Sequence, residues 1–424
     1  MSSSQTVTAS DSIPGYWKWT ALALASAIFF VATGGAFSSL GVLLPSMIAE
    51  LSLTWTQAGA AFTVLALMTG LSSTLPAVTF KYAGFSTVYF TGGALVAAGF
   101  ATLGLAQNLV VVLIGAGLVG TGYSQVASVP AVKLLSTIFS KRSSLTIGIF
   151  FTCGALGSVA GPQIAQAYVD FTPSWRGYWL MIAGVTFGLC VIAALFMNSR
   201  WLRQNPADLD SFEEATPDAE KGDWTLKEAM ANPQYIIIVL GVTITLLGAL
   251  TMNTWQPTHM QNMGVTAAVA ANALSAHAIF NALARFCGGA VADRVGAKLL
   301  FVSGLAAGVV GMTALSVADT TLLIGLFALG DGYSFGIVTF GSTILLLKYY
   351  GPKNNPAILG TLNLITTVAM VGPIVAGSMG ERFGGFKEVF AGLAILMLIC
   401  TIAAALMPTP KRPAEVPDGA PQPA

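Results

Sequence analysis

The chain has 424 residues, 55% of them hydrophobic and 9% charged, with 46 glycines. A soluble domain carries about a quarter charged residues, so this composition excludes a soluble enzyme of this size and, with it, a β-barrel porin. The 19 Lys+Arg and 18 Asp+Glu leave a net charge of +1, without the basic face that a nucleic-acid partner requires.

Taken in chain order, residues 1–16 are polar and Ser/Thr-rich, with no basic start or small-residue cleavage site, and read as a retained N-terminal tail. Six apolar stretches follow near 20–48, 56–80, 85–106, 110–138, 145–169 and 177–199, within a first half of residues 17–199. Residues 200–232 change character, with Arg200, Asp208, Glu213, Lys221 and Asp223 among their charges, and form a solvated central linker. A second half, residues 233–407, holds stretches near 233–260, 267–291, 298–317, 320–347, 357–380 and 387–407, and residues 408–424 are a polar tail. Each stretch can cross a hydrocarbon core of about 30 Å; they are called spans 1 to 12. The expected fold is an all-α integral membrane protein of twelve transmembrane helices in two pseudo-symmetric six-helix halves. Cys153, Cys190, Cys287 and Cys400 are far apart in apolar segments and read as small core residues, not as disulfides or metal ligands.

Lys and Arg are unevenly divided between the two sides. One side collects Lys18, Lys81, Lys141, Arg142, Arg200, Arg203, Lys221, Lys227, Arg294, Lys298, Lys348, Lys353, Lys411 and Arg412, whereas Arg176, Arg382 and Lys387 fall on the other. The positive-inside rule then places both termini in the cytoplasm. The halves also share sequence. Gly120-Thr121-Gly122-Tyr123-Ser124 recurs 210 residues later as Gly330-Asp331-Gly332-Tyr333-Ser334, and Gly161-Pro162 recurs as Gly372-Pro373. This repeat makes Tyr333 the expected mate of Tyr123, and Thr121 that of Asp331. Gly117, Gly120, Gly122, Gly154, Gly157 and Gly161 have the small-residue spacing that would let spans 4 and 5 approach closely.

Gly289-Ala290-Val291-Ala292-Asp293-Arg294-Val295-Gly296, between spans 8 and 9, resembles the G-x-x-x-D-R-x-G loop of the major facilitator superfamily. Asp293 and Arg294 are the candidate gating residues, since charges at a helix end can latch a neighbouring helix terminus. In the equivalent turn of the first half, Lys81 stands in place of the acid. The stretch from Phe139 to Trp175-Arg176, together with Arg285 ahead of Gly289, resembles the monocarboxylate transporter and oxalate/formate antiporter group. That resemblance implies the major facilitator fold and an organic-anion substrate held by Arg285. Two departures stand out: Asn281 replaces the acid that animal-type carriers have one turn before the arginine, and span 11 lacks the lysine of oxalate carriers.

Only Lys133, Arg285 and Asp331 are charged well inside a span. Such groups cost at least about 2.5–3.5 kcal/mol each, so they face a cavity or a partner. Arg285 is the leading substrate ligand because a guanidinium stays protonated and its fork matches a carboxylate; a structural pair with Asp331 is the plainer reading. Asp331 is the candidate proton carrier, released when substrate weakens the hold of Arg285. Lys133 is a candidate second anion ligand, although it can snorkel to the interface. Tyr123 lies near the position whose hydroxyl contacts the carboxylate in the resembled group. Tyr333, Asn281 and Asn363 complete the substrate-binding candidates. Core packing is the alternative for Tyr123 and Tyr333. Asn281 can hydrogen-bond Arg285 or the ligand; for it and Asn363 the alternative is hydrogen bonding between helices. His277, two turns before Arg285, can relay protons, with a hydrogen-bonded interior histidine as the plainer reading. Trp255 is expected to face the cavity.

The expected function is secondary active transport of a small organic monocarboxylate across the cytoplasmic (inner) membrane by alternating access, with proton symport. Organic anion/anion exchange is the alternative within transport, and a transporter-like metabolite receptor is the alternative from another class. Neither residues 200–228 nor 408–424 contain a recognisable signalling domain. The expected partners are the organic anion, the proton and the lipid bilayer, with the chain a monomer. No catalytic set, phosphate-binding loop, metal cluster or cofactor motif is present, so an enzyme is not expected.

Overall fold

The computed structural model describes residues 13–139, 143–172, 174–198, 224–351 and 354–410, and the described residues contain helices and no strand. Most of the predicted central linker and both tails lie outside them. Within a bilayer every backbone N–H and C=O must be satisfied inside its own segment, and helices meet that demand.

Span 1 is helical over Gly15–Thr33 and Leu40–Leu51, joined by a π-helical stretch, Gly34–Ser39. Span 2 begins as Trp55–Leu71 and tightens into a 3-10 turn, Ser72–Thr74. The rest of span 2 and span 3 form one helical run, Leu75–Gly104, bent where Gly84 takes φ 73°. Span 4 is Leu109–Val126 and Ser128–Ile138 with a kink at Ala127. Spans 5 and 6 are Ser143–Phe171 and Trp175–Met197. A short helix, Leu226–Met230, leads into span 7, Pro233–Asn262. Spans 8, 9 and 10 are Ala267–Val295, Ala297–Ser316 and Thr321–Tyr350. Span 11 divides into Asn355–Thr366, a 3-10 stretch Thr367–Val371, and Gly372–Phe383, and span 12 is Lys387–Leu406. Among the described residues, 11 helices are long and apolar enough to cross a membrane. Span 2 is the one missing from that count.

The Trp175-Arg176 pair has a structural role in the first half. Trp175 Nε1 donates to Glu50 Oε2, Arg176 Nε donates to Glu50 Oε1 at 2.9 Å, and Arg176 Nη1 reaches the carbonyls of Gly104 and Ala106. The ends of spans 1 and 3 are thereby tied to the start of span 6, and carbonyls left over at a helix end gain a donor.

The close approaches between helices give the internal symmetry. Gly92 packs on Gln125 and Val126 as Gly304 packs on Ile337 and Val338; Gly99 meets Val119 as Gly311 meets Asp331; Gly120 meets Leu65 as Gly332 meets His277. Every one of these pairs is related by 212 residues, as Gly92 is to Gly304 and Val126 to Val338. The 210-residue sequence repeat in spans 4 and 10 is therefore two residues out of structural register. Two residues turn a helix by roughly 200°, so the mate of Tyr123 is Phe335 and not Tyr333, and the mate of Asp331 is Val119 and not Thr121. The Gly-Pro repeat does keep its role, with Gly161 packed on span 1 at Gly34 and Gly372 packed on span 7 at Leu247 and Thr251. The glycines expected to join spans 4 and 5 serve other contacts. Gly117 and Gly120 meet span 2, Gly122 meets span 3, and Gly154, Gly157 and Gly161 meet span 1.

The halves are joined in the part of the bundle remote from the termini. Gln163 Nε2 donates to Ser275 Oγ at 3.0 Å, which donates on to Val159 O at 2.6 Å. On the other flank, Ile374 N donates to Thr63 Oγ1 at 3.3 Å and Thr56 N to Glu381 Oε1 at 2.6 Å.

Candidate functional site

Span 8 shows three environments around its circumference. Ile279, Leu283 and Phe286 are 44%, 51% and 81% exposed and form its outward stripe. The backbone at His277 and Asn281 receives Gly332 and Gly336 of span 10, and Ser275 faces span 5. Arg285 lies about 130° around the helix from the outward stripe at 100° per residue, between the span 10 and span 5 faces. Its side chain is nevertheless exposed. The guanidinium therefore opens toward the space between the halves and not toward lipid, nor is it sealed in a dry contact.

Two neighbours set its orientation. Arg285 Nε donates to Asn281 Oδ1 at 3.0 Å, one turn earlier on the same helix. Its Cζ lies 5.5 Å from the centroid of the Phe335 ring, within range of a cation–π contact. Among the described residues neither η nitrogen has a hydrogen-bond partner. Held at Nε and backed by a ring, the group presents the end of its fork outward.

Asp331 is not the partner of Arg285. Its carboxylate is 2% exposed, and Oδ2 lies 3.0 Å from His277 Nε2, itself on a 5% exposed side chain. The His277 ring stacks on Phe327 at 6.2 Å and 7°. The expected direct hold of Arg285 on Asp331 is thus replaced by a buried acid–imidazole pair two turns away along span 8. The reason is helical phase: His277 and Arg285 are eight residues apart and so differ by roughly 80°.

Tyr123 points inward in the first half. Its hydroxyl is 3.1 Å from Thr33 Oγ1, and its ring meets Phe37 edge-on at 5.1 Å. Phe37 also walls a cavity of about 170 Å³ between the halves, lined by Thr69, Leu246, Leu250, Asn363 and Thr367 among others. Asn363 is exposed there, whereas the Thr69 and Thr367 hydroxyls donate to carbonyls of their own helices. Tyr333, by contrast, follows the outward stripe of Leu322, Leu326 and Leu329, and its hydroxyl lies 3.0 Å from Ser303 Oγ of span 9. It is a packing residue on the wrong face for a ligand in the centre. Trp255 is also removed from the cavity: it is fully buried, stacks on Phe386, and donates from Nε1 to Pro373 O at 2.9 Å.

The side chains of Lys133 and Asp293 lie outside the described residues. Arg294 is exposed in the last turn of span 8, followed by Gly296 at φ 88°; only glycine adopts that backbone without strain, which accounts for the final position of the motif. Sequence reasoning missed Phe335 and Phe37. The spacing of Gly332 and Gly336 one turn apart was the available signal for Phe335, since it fixes which face of span 10 meets span 8.

A bundle of two pseudo-symmetric six-span halves defines a multi-pass membrane protein of two-lobed architecture. The profile of the Major Facilitator Superfamily matches residues 24–370 and 238–424, and the chain belongs to that family of transporters. Among curated relatives, Monocarboxylate transporter 11 of Mus musculus is 25% identical over 397 residues, covering 89% of this chain and 84% of that protein. Monocarboxylate transporter 13 of Rattus norvegicus is 24% identical over 318 residues, covering 73% and 70%. Among solved structures, a bacterial homolog of the human lysosomal transporter Spinster, in an inward-facing and unoccupied conformation, aligns with a TM-score of 0.74 at 14% identity, over 93% of this chain and 97% of the other. The nucleoside transporter NupG aligns with a TM-score of 0.70 at 15% identity, over 92% and 98%. At these identities the structures show a shared fold.

Proposed function

We propose that this transporter moves a small organic monocarboxylate across the cytoplasmic membrane by alternating access, with both termini cytoplasmic. The observation that carries the reading is Arg285, a permanent cation in mid-span whose η nitrogens have no hydrogen-bond partner among the described residues, turned from lipid and steadied by Asn281 and Phe335. An unpaired charge at that depth is costly, and an anion arriving with a matching pair of oxygens removes the cost through charge-assisted bonds. The monocarboxylate transporter relatives support the same substrate class. Proton symport is assigned to the His277–Asp331 pair. Tyr123 and Asn363 are assigned to the rest of the ligand, and Asp293 with Arg294 to the gate at the end bearing the termini.

Uptake of radiolabelled monocarboxylates into proteoliposomes tests this. Flux should respond to a proton gradient and disappear in Arg285→Gln; carboxylate flux that persists unchanged in that variant overturns the assignment. Anion-for-anion exchange is the second reading, favoured by the enclosure of Asp331 at 2% exposure with no contact to Arg285. It requires flux that depends on internal anion and ignores the proton gradient.

A further inference from the structure

At the end of the bundle remote from the termini, the first helix of span 2 starts with an unusual complement of caps. Thr54 Oγ1 accepts from Gln57 N at 3.2 Å and Gln57 Oε1 accepts from Thr54 N at 3.0 Å, a closed capping box. The amides of Trp55 and Thr56 remain, and that of Thr56 is taken by a residue of the other half: Glu381 Oε1, near the end of span 11, accepts it at 2.6 Å. A carboxylate is the favoured group at that position, because the first amides of a helix carry its positive end.

The surrounding contacts are built for closure. Trp55 packs against Phe386 at 4.9 Å, and Phe386 stacks on Trp255 at 4.6 Å, so an aromatic of the first half sits on a stack of the second. Backbones touch beneath it: a Cβ on Gly377 would stand 2.4 Å from Trp55 O, and one on Gly59 would stand 2.3 Å from Pro373 O. Glu50 at the same end offers the contrast. Its partners, Trp175 and Arg176, belong to its own half, so it moves with them as one body.

We propose that Glu381 is a latch between the halves, capping span 2 only while the end remote from the termini is shut, so that opening this end uncaps the helix. The latch rests on the transport reading only in that the halves must separate here. Its stability contribution is that of a helix cap, which corresponds to about a fivefold change in the ratio of shut to parted molecules. Gly377 and Gly59 let the backbones reach the distance at which the carboxylate bonds Thr56.

Spin labels at Gln107→Cys and Asp319→Cys, exposed loop positions of the two halves at this end, report the separation by pulsed electron resonance once the four native cysteines are replaced. Glu381→Ala should raise the population with the longer distance about fivefold, and Glu381→Gln should raise it less, since the acceptor oxygen is kept and only the charge is lost. Gly377→Ala should raise it without touching the carboxylate, whereas Glu50→Ala should leave it as in the unmodified protein. A distribution unchanged by Glu381→Ala, or shifted equally by Glu50→Ala, overturns the latch. The measurement needs no substrate, so loss of carboxylate transport would refute the proposed cargo without bearing on this result.

Discussion

Asn281→Asp is the substitution that probes the anion site most sharply. The amide oxygen of Asn281 accepts from Arg285 Nε at 3.0 Å, and a carboxylate of nearly the same size would keep that bond while adding a charge. Two unit charges at about 4 Å and an effective dielectric of about 20 attract by about 4 kcal/mol, much of it offset by desolvation. A hydrogen bond to a charged group is worth about 1.5–3 kcal/mol net. The fork would then face an internal competitor, and an incoming carboxylate would have to displace it or wait for it to take a proton. KM at neutral pH should therefore rise about ten- to hundredfold. Acidification should restore much of the loss, because a protonated Asp resembles the original amide. Asn281→Leu removes the steadying bond without adding a rival, so its KM should rise less and acquire no new pH dependence. Initial-rate uptake of a labelled monocarboxylate at several external pH values separates the two variants. If Asn281→Asp and Asn281→Leu give the same KM and the same pH profile, Arg285 is not the anion ligand.

Other substitutions extend the test. Asp331→Asn should abolish accumulation driven by a proton gradient while leaving counterflow of labelled for unlabelled acid within about twofold; normal gradient-driven accumulation would remove Asp331 from proton coupling. Tyr333→Phe should leave KM unchanged and cost about 0.5–1.5 kcal/mol of thermal stability through the lost bond to Ser303, whereas Phe335→Leu should raise KM, as read in the same uptake assay. Gly311→Ala would place a Cβ 2.4 Å from Asp331 N, and melting of the detergent-solubilised protein should show about 1–3 kcal/mol of destabilisation from overpacking.

Much of this protein could be read from its sequence because the bilayer imposes one dominant rule, length of apolar helix, and obeying it leaves a trace in every span. Arg285 and Asn281 were legible for the same reason: a charge inside a span is rare, and four residues separate it from a partner on its own helix. Pairings across helices were not. Asp331 meets His277 and not Arg285, because the rotation of span 10 against span 8 depends on where Gly332 and Gly336 seat. The recurrence of Gly-x-Gly-Tyr-Ser misdirected Tyr333 for a related reason. Glycine pairs serve either neighbouring helix: Gly120 faces span 2 and Gly122 span 3, whereas Gly330 faces span 9 and Gly332 span 8. Glu381 escaped notice because it lies at a span end, where charges are common and carry little information.

The Arg285 guanidinium also has an electrical consequence. At the positions 212 residues before Asn281 and Arg285 the first half has Thr69 and Ser73, and before His277 and Asp331 it has Leu65 and Val119, so at these symmetry-related positions the charged groups belong to the second half alone. On the proposed reading a monovalent cargo neutralises the guanidinium itself, whereas the vacant return leaves that group without its anion in a region of low polarizability. On that reading the vacant return is the slow leg of the cycle, and a pool of cargo waiting on the opposite face should hasten turnover.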